Sequence, residues 1–227
     1  HDSRGFPVPA EVGWPAVDAP TFASVHTERK IALGFHHACA VCGYELPAGS
    51  RVYRAFAQAD AVEIRLNQRE RTMDPSGPLH LSCILYSAMA CPYLREKTSR
   101  LGVDNKINPG ARRGTRASVM GFEGYGLLIC TQPFGPPTEL HTPQFAYHTL
   151  IDDIHYQSGT ELSERYAAAV ETDAALIEVD GQRKYWDWTQ NRAVEAEAIR
   201  ALQIIKKRSA LYPTGIAGHG YYNCYPL

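Results

Sequence analysis

The sequence predicts an α+β fold, and three observations lead to that prediction. Leu79 to Ala90 carries apolar residues at helical spacing. Ala175 to Val179 and Gln182 to Trp188 flank the turn-forming pair Asp180-Gly181, which is a hairpin signal. Cysteine and histidine occur as two pairs, each three residues apart, in the first half of the chain. We therefore expect a compact module that carries these pairs, followed by a helix and β-hairpin portion.

Composition narrows the class of protein. The 227 residues are 44% hydrophobic and 21% charged, which is ordinary for a globular chain. A formal net charge of -1 gives no overall field that attracts nucleic acid or an anionic membrane. No apolar run approaches the ~20 residues that span a bilayer. We therefore expect no membrane partner. Six cysteines are few for a disulfide-stapled secreted domain, so we expect a cytoplasmic protein.

The chain divides into three predicted parts. Residues 1–30 form a proline-rich N-terminal arm, because proline fixes φ and removes a backbone donor. Residues 31–110 form the module with the cysteine and histidine pairs. Residues 111–227 form an α+β portion, which we expect to pack on the module as one globule.

Patterning predicts four elements in the module. Val25 to Phe35 is expected to be a short helix, and Arg51 to Phe56 and Ala61 to Leu66 two short strands. The helix over Leu79 to Ala90 should stop at Cys91, because the following proline disfavours helical geometry there.

The second half continues with alternating elements. Val119 to Thr131 is expected to form one or two strands. Phe145 to Tyr156 has one apolar stripe at helical spacing. Thr160 is a candidate cap for a helix through about Glu171, and Thr189 for a long helix reaching about Ser209.

Cys39, Cys42, His80 and Cys83 are the strongest chemical signal. Three thiolates and one imidazole suit a single tetrahedral Zn²⁺. The first pair lies on a turn that Gly43 allows to fold back, and the second pair shares one face of a helix. Four protein ligands leave no open position for substrate, so the predicted site is structural.

Other assignments of these residues remain open. Cys91 is a rival ligand, although it lies eight residues past Cys83, or about 12 Å along a continuous helix. His36 and His37 directly precede the first pair and are possible substitutes. The cysteines of the first pair are alternatively a redox couple or unrelated buried thiols.

The order of turn, hairpin and ligand-bearing helix resembles a treble-clef zinc finger. The sequence also resembles a family of small uncharacterised proteins from actinobacteria and their phages. This resemblance covers about residues 2–110 and implies a zinc-knuckle fold and a cytoplasmic location, but no activity and no catalytic residues. Residues 135–175 depart from the family pattern. The motifs that carry the resemblance are Arg4-Gly5-Phe6-Pro7-Val8-Pro9, Cys39-x2-Cys42-Gly43 and Pro78-Leu79-His80-x2-Cys83-x2-Tyr86-x4-Cys91-Pro92-Tyr93-Leu94.

A second, weaker constellation lies on the predicted Phe145–Tyr156 helix. His148, Asp152 and His155 would share one face of that helix. Two imidazoles and a carboxylate can bind a divalent ion or perform acid–base catalysis. A solvated polar helix face is the alternative interpretation.

His219 and Cys224 in the tail are a candidate base and nucleophile pair. The alternative is a tail that packs through its tyrosines.

Arg112, Arg113 and Arg116 make a local basic patch that would contact the phosphates of nucleic acid. An exposed loop is the alternative.

Three functions follow from these patterns. The first is a zinc-bearing interaction or scaffold protein with an unknown protein partner. The second is a metalloenzyme whose active site in the C-terminal half includes His148, Asp152 and His155. The third is a nucleic-acid-binding module that uses the basic patch.

Overall fold

The computed structural model describes residues 1–22, 26–95, 117–133, 139–176, 182–211 and 221–226, and it confirms the α+β class. The helices are α1 (Thr27–Phe35), α2 (Gln58–Asn67), α3 (Leu81–Ala90), α4 (Pro92–Arg95), α5 (Ser163–Leu176) and α6 (Asn191–Leu211). The strands are β1 (Val52–Ala57), β2 (Arg71–Asp74), β3 (Ala117–Pro133), β4 (Glu139–His155) and β5 (Tyr221–Pro226). Short 3-10 turns, Gly159–Leu162 and Trp188–Gln190, lead into α5 and α6.

The sheet is built on the long antiparallel pair β3–β4, and its strand order is β1-β3-β4-β2. β1 pairs with the first part of β3, and β5 pairs with a later part of the same strand. Arg54 on β1 and Asp74 on β2 stand at opposite ends of the strand order, yet their side chains form an ion pair at 3.4 Å. The sheet is therefore curled, so that its outer strands approach each other.

The main core lies on the sheet beneath the helices. Phe122 and Tyr147 from the central strands are fully buried, with ring centroids 5.0 Å apart. One contiguous cluster of buried apolar side chains runs from Ile31 on α1 to Ile205 on α6. The predicted module and the portion that follows it therefore contribute to the same core.

Residues 1–22 of the N-terminal arm contain no helix or named strand, whereas residues 27–30 of the predicted arm belong to α1. Val8 and Trp14 are buried against the folded body, whereas Phe6 and Phe22 are exposed. No helix in the described ranges has the length and apolar character that a membrane span requires.

Helices α1 and α3 and strand β3 match the predicted segments. Helix α3 ends at Ala90, and Cys91 takes an extended conformation with ψ 121°, as expected before proline. The predicted caps are each shifted by two residues. Ser158 and Asp187, rather than Thr160 and Thr189, form capping boxes with Glu161 and Gln190.

The strand predicted over Ala61 to Leu66 is wrong, because this segment is part of α2. Ala61 and Ile64 are buried, whereas Val62 and Leu66 are exposed, which is the burial pattern of a helix face. Alternation of apolar residues at 62, 64 and 66 produced the strand prediction. Between the two ligand pairs the chain therefore forms β1, α2 and β2, and β1 and β2 do not pair with each other.

The helix predicted over Phe145 to Tyr156 is also wrong, because these residues belong largely to β4. Thr149 has a left-handed φ of 47°, and the register with β3 shifts where Leu150 and Asp152 pair with successive residues. Such an irregularity interrupts the strict alternation of a strand. Buried Tyr147, Leu150 and Ile154 consequently fall at spacings of three and four, which imitate a helix.

The hairpin predicted around Asp180-Gly181 is not supported. Ala175 and Leu176 end helix α5, and residues 182–187 form no strand. The turn pair itself lies outside the described residues. Among the described residues, the longest antiparallel pair is β3–β4, which the sequence pattern did not single out.

Candidate metal centre

The structure brings together the four residues that the two sequence pairs contain. The ligand atoms of Cys39, Cys42, His80 and Cys83 all lie within 4.8 Å of one another. No other group of at least three histidine, cysteine or acidic side chains with this geometry occurs in the described part of the chain. The cluster is compact enough to hold one metal ion.

The first pair lies on a tight turn after α1. The Gly43 N–H donates to the Cys39 carbonyl at 2.9 Å, and the Cys39 N–H donates to the Tyr44 carbonyl at 2.8 Å. Gly43 has a φ of 74°, a region that glycine enters without strain. This turn presents both thiols from the same side, with Cys39 fully buried and Cys42 partly exposed.

The second pair lies at the start of helix α3. His80 is the N-cap residue, in extended conformation, and Cys83 lies in the first turn. The Nδ1 atom of His80 is 3.4 Å from the Cys42 sulfur and 4.0 Å from the Cys83 sulfur. The histidine ring thus points between the two thiols that flank it.

The opposite nitrogen of His80 has a partner that fixes the ring. Its Nε2 lies 2.9 Å from the backbone carbonyl of Glu45, so Nε2–H donates to that oxygen. In the neutral ring that a metal would bind, the proton is therefore on Nε2 and the lone pair of Nδ1 faces the sulfurs. Metal-bound histidines commonly have this outer hydrogen bond, which sets the tautomer and orients the ring.

Remote segments hold the cysteine turn in place. The N–H of Lys184 donates to the Gly43 carbonyl at 2.6 Å, and Arg183 Nε donates to the Cys42 carbonyl at 2.6 Å. The Arg183 guanidinium also stacks on Tyr185, 4.5 Å from the ring centroid. The cluster is thus supported by a part of the chain far from it in sequence.

Proximity of the four groups changes their proton affinities. Burial raises the pKa of Cys39, but hydrogen bonds from Cys42, Cys83 and His80 outweigh it, so that its pKa lies well below the usual value. Hydrogen bonding to Cys39 raises the pKa of both other thiols. Burial lowers the pKa of His80, but hydrogen bonds to the cysteines raise it overall to about 11. Without metal, these shifts favour transfer of a proton from Cys39 to His80, next to two thiols whose pKa values are raised.

The alternative ligands lie outside the cluster. Cys91 terminates α3 and is not among the four converging groups. His36 forms an ion pair with Glu197 on α6. His37 has a φ of 53°, and its ring lies 5.8 Å from that of Tyr125.

The second predicted constellation does not assemble as expected, since its helix is a strand. His148, Asp152 and His155 do not form a group of converging ligand atoms. His155 instead contacts Arg65, Asp153 and Ser118, and the Ser118 oxygen is 3.3 Å from His155 Nδ1. Ser118 is fully buried, whereas the His155 side chain is 61% exposed.

Other predicted groups lie in regions without a side-chain description. Arg112, Arg113 and Arg116 are outside the described residues, as is His219. Cys224 lies in β5, but the structure does not describe its side chain.

Comparisons with protein-family models, with curated proteins and with solved structures give no match for this chain.

Proposed function

We propose that Cys39, Cys42, His80 and Cys83 bind one Zn²⁺ in a closed structural site. The observation that supports this most is the convergence of all four ligand atoms within 4.8 Å, with the His80 ring already oriented by Glu45. Three sulfurs and one imidazole nitrogen form a donor set typical of structural zinc. Four protein ligands leave no position for a substrate or an activated water.

The ion would connect two segments that are distant in the sequence. Cys39 and Cys42 lie on the turn after α1, whereas His80 and Cys83 begin α3. Zinc bound between them would fix the turn against this helix. The metal would then stabilise the fold and take no part in catalysis. We propose that the protein acts through an exposed surface as an interaction or scaffold protein with a protein partner.

The proposal includes a treble-clef-like classification and membership of the actinobacterial and actinophage zinc-knuckle family. The cysteine turn and the ligand-bearing helix support the first point, although β1, α2 and β2 take the place of the expected hairpin. A cytoplasmic location is part of the same proposal, because thiol ligands require a reducing compartment.

Metal analysis of two matched cysteine variants tests the ligand assignment. Wild type and Cys91→Ser are expected to retain one zinc per chain, whereas Cys83→Ser should lose stoichiometric zinc. Both residues belong to the same segment and are partly exposed, but only Cys83 lies in the cluster. Elemental analysis of the purified proteins measures the difference. Loss of zinc in Cys91→Ser with retention in Cys83→Ser would contradict the assignment.

Zinc binding at neutral pH should release about three protons per ion. His80 and two thiols are protonated in the metal-free cluster, because their pKa values are raised, and zinc takes their deprotonated forms. Affinity should accordingly rise with pH near neutrality. Calorimetry in two buffers with different ionisation enthalpies measures the proton count. Release of no protons would argue against these protonation states.

A further inference from the structure

Helix α3, which carries two of the proposed zinc ligands, lacks a local N-cap interaction. His80 occupies the N-cap position, but its side chain makes no hydrogen bond to the free N–H groups of the first turn. Serine, threonine or aspartate usually supplies that bond from this position. His80 cannot supply it, because its Nδ1 faces the sulfurs and its Nε2–H donates to Glu45.

Asp173 on α5 replaces the missing cap. Its Oδ2 accepts a hydrogen bond from the Ser82 N–H at 2.7 Å, across 91 residues of sequence. Ser82 is the second residue of α3, where an N-cap side chain would ordinarily accept a hydrogen bond. A carboxylate at this end of a helix also complements the positive end of the helix dipole.

The packing of α5 along α3 fixes the position of this carboxylate. The two helices run antiparallel, since Gly159 meets the backbone of Ala88, the tilted rings of Tyr166 and Tyr86 lie 6.1 Å apart, and Asp173 reaches Ser82. Asp173 is only 8% exposed. Its hydrogen bond is therefore shielded from water and geometrically constrained.

Ser82 lies between the two ligands on this segment, His80 and Cys83. Backbone hydrogen bonds hold the residues just before this segment: the Ala40 N–H donates to the Pro78 carbonyl at 3.0 Å, and Leu79 pairs with Tyr53. Asp173 supplies a side-chain anchor, so it can be removed by substitution without altering the ligands.

We infer that Asp173 is a positioning residue for the zinc site and sets its metal affinity through the Ser82 N–H. This inference rests on the proposed function. Without the carboxylate, the first turn of α3 can fray, and His80 and Cys83 no longer hold their places relative to the cysteine turn. Partners in the outer shell of a metal site typically contribute about 10–100-fold to its affinity.

The experiment is a competition titration of zinc against a chromophoric chelator with the full chain. Asp173→Ala should bind zinc about 10–100-fold more weakly than wild type. Asp173→Asn keeps an acceptor oxygen in the same place and should recover most of that loss. Glu171→Ala is the matched control, because Glu171 is exposed on the same helix, and it should leave the affinity within about twofold of wild type.

A second readout separates positioning from general stability. Unfolding midpoints are measured with zinc and with excess chelator, and the stabilisation that zinc gives should be smaller in Asp173→Ala than in wild type. If Asp173→Ala does not fold, Asp173→Ser replaces it in both measurements, because serine keeps a polar group but is too short to reach Ser82.

The outcomes distinguish the two proposals. A wild-type chain that binds no stoichiometric zinc overturns the proposed function. A wild-type chain that binds zinc, together with an Asp173→Ala chain that binds it equally tightly, overturns only the role of Asp173.

Discussion

Cys39→Ser is expected to abolish zinc binding and to lower the free energy of unfolding by about 5 kcal/mol or more, comparable to the whole stability of many domains. Cys39 is the fully buried member of the ligand set and belongs to the main core. Serine is a poor zinc ligand, and without the ion no coordinate bond would connect the cysteine turn to His80 and Cys83. Zinc contributes about 10–16 kcal/mol of apparent binding free energy in small zinc peptides.

Denaturant unfolding, with zinc present and with excess chelator, measures this effect. Chelator should lower the midpoint of wild type towards that of Cys39→Ser and should not change the variant further. Cys91→Ser is the control and should respond to chelator as wild type does. An unchanged midpoint in Cys39→Ser would show that the fold does not depend on this cluster.

Gly43→Ala is expected to cost about 3 kcal/mol or more, because two effects combine at this position. The φ of 74° disfavours a side chain, and an added Cβ would lie 2.2 Å from the Lys184 carbonyl oxygen. This is a backbone atom, so relief of the clash must move the segment that supports the cysteine turn. We therefore expect weaker zinc retention together with the loss of stability.

Gly49→Ala provides the matched control for this substitution. Gly49 has a nearly identical φ of 76°, but an added Cβ there would meet no atom within 4 Å. It should show only the conformational cost of about 1–2 kcal/mol and normal zinc content. The difference between the two variants measures the contact with Lys184. Equal losses of stability would mean that this contact contributes nothing.

The convergence of Cys39, Cys42, His80 and Cys83 was predictable because the information for it is local. The two cysteines of the turn lie three residues apart, and so do His80 and Cys83, which places each pair on one side of a turn or helix. The end of α3 at Cys91 was predictable for the same reason, since Pro92 restricts its neighbour directly.

The rest of the site depends on long-range contacts. Glu45 acts through its backbone carbonyl, which has no sequence signature. Asp173 and Arg183 reach the site only after α5 and the following segment have packed, and neither has a distinctive spacing from the ligands. Spacing rules describe neighbours in sequence, so they could not identify these residues.

The errors in the fold have a similar origin. The irregularity of β4 near Thr149 shifts its buried residues out of alternation, and the resulting spacing is that of a helix. In α2, the exposed Val62 and Leu66 gave an apparent strand pattern because their side chains are apolar although they face outward. The spacing of apolar residues predicts secondary structure correctly only where the apolar residues are also the buried residues.

The hydrogen bond from Arg183 to the Cys42 carbonyl also bears on the order of events during biosynthesis. Synthesis proceeds from the N-terminus to the C-terminus, so all four proposed ligands leave the ribosome well before Asp173 and Arg183 do. If zinc binds as proposed, a nascent chain has all four ligands before the side chains that support the turn and the helix. We therefore expect an excised N-terminal fragment to exchange the proposed ion more readily than the completed polypeptide does.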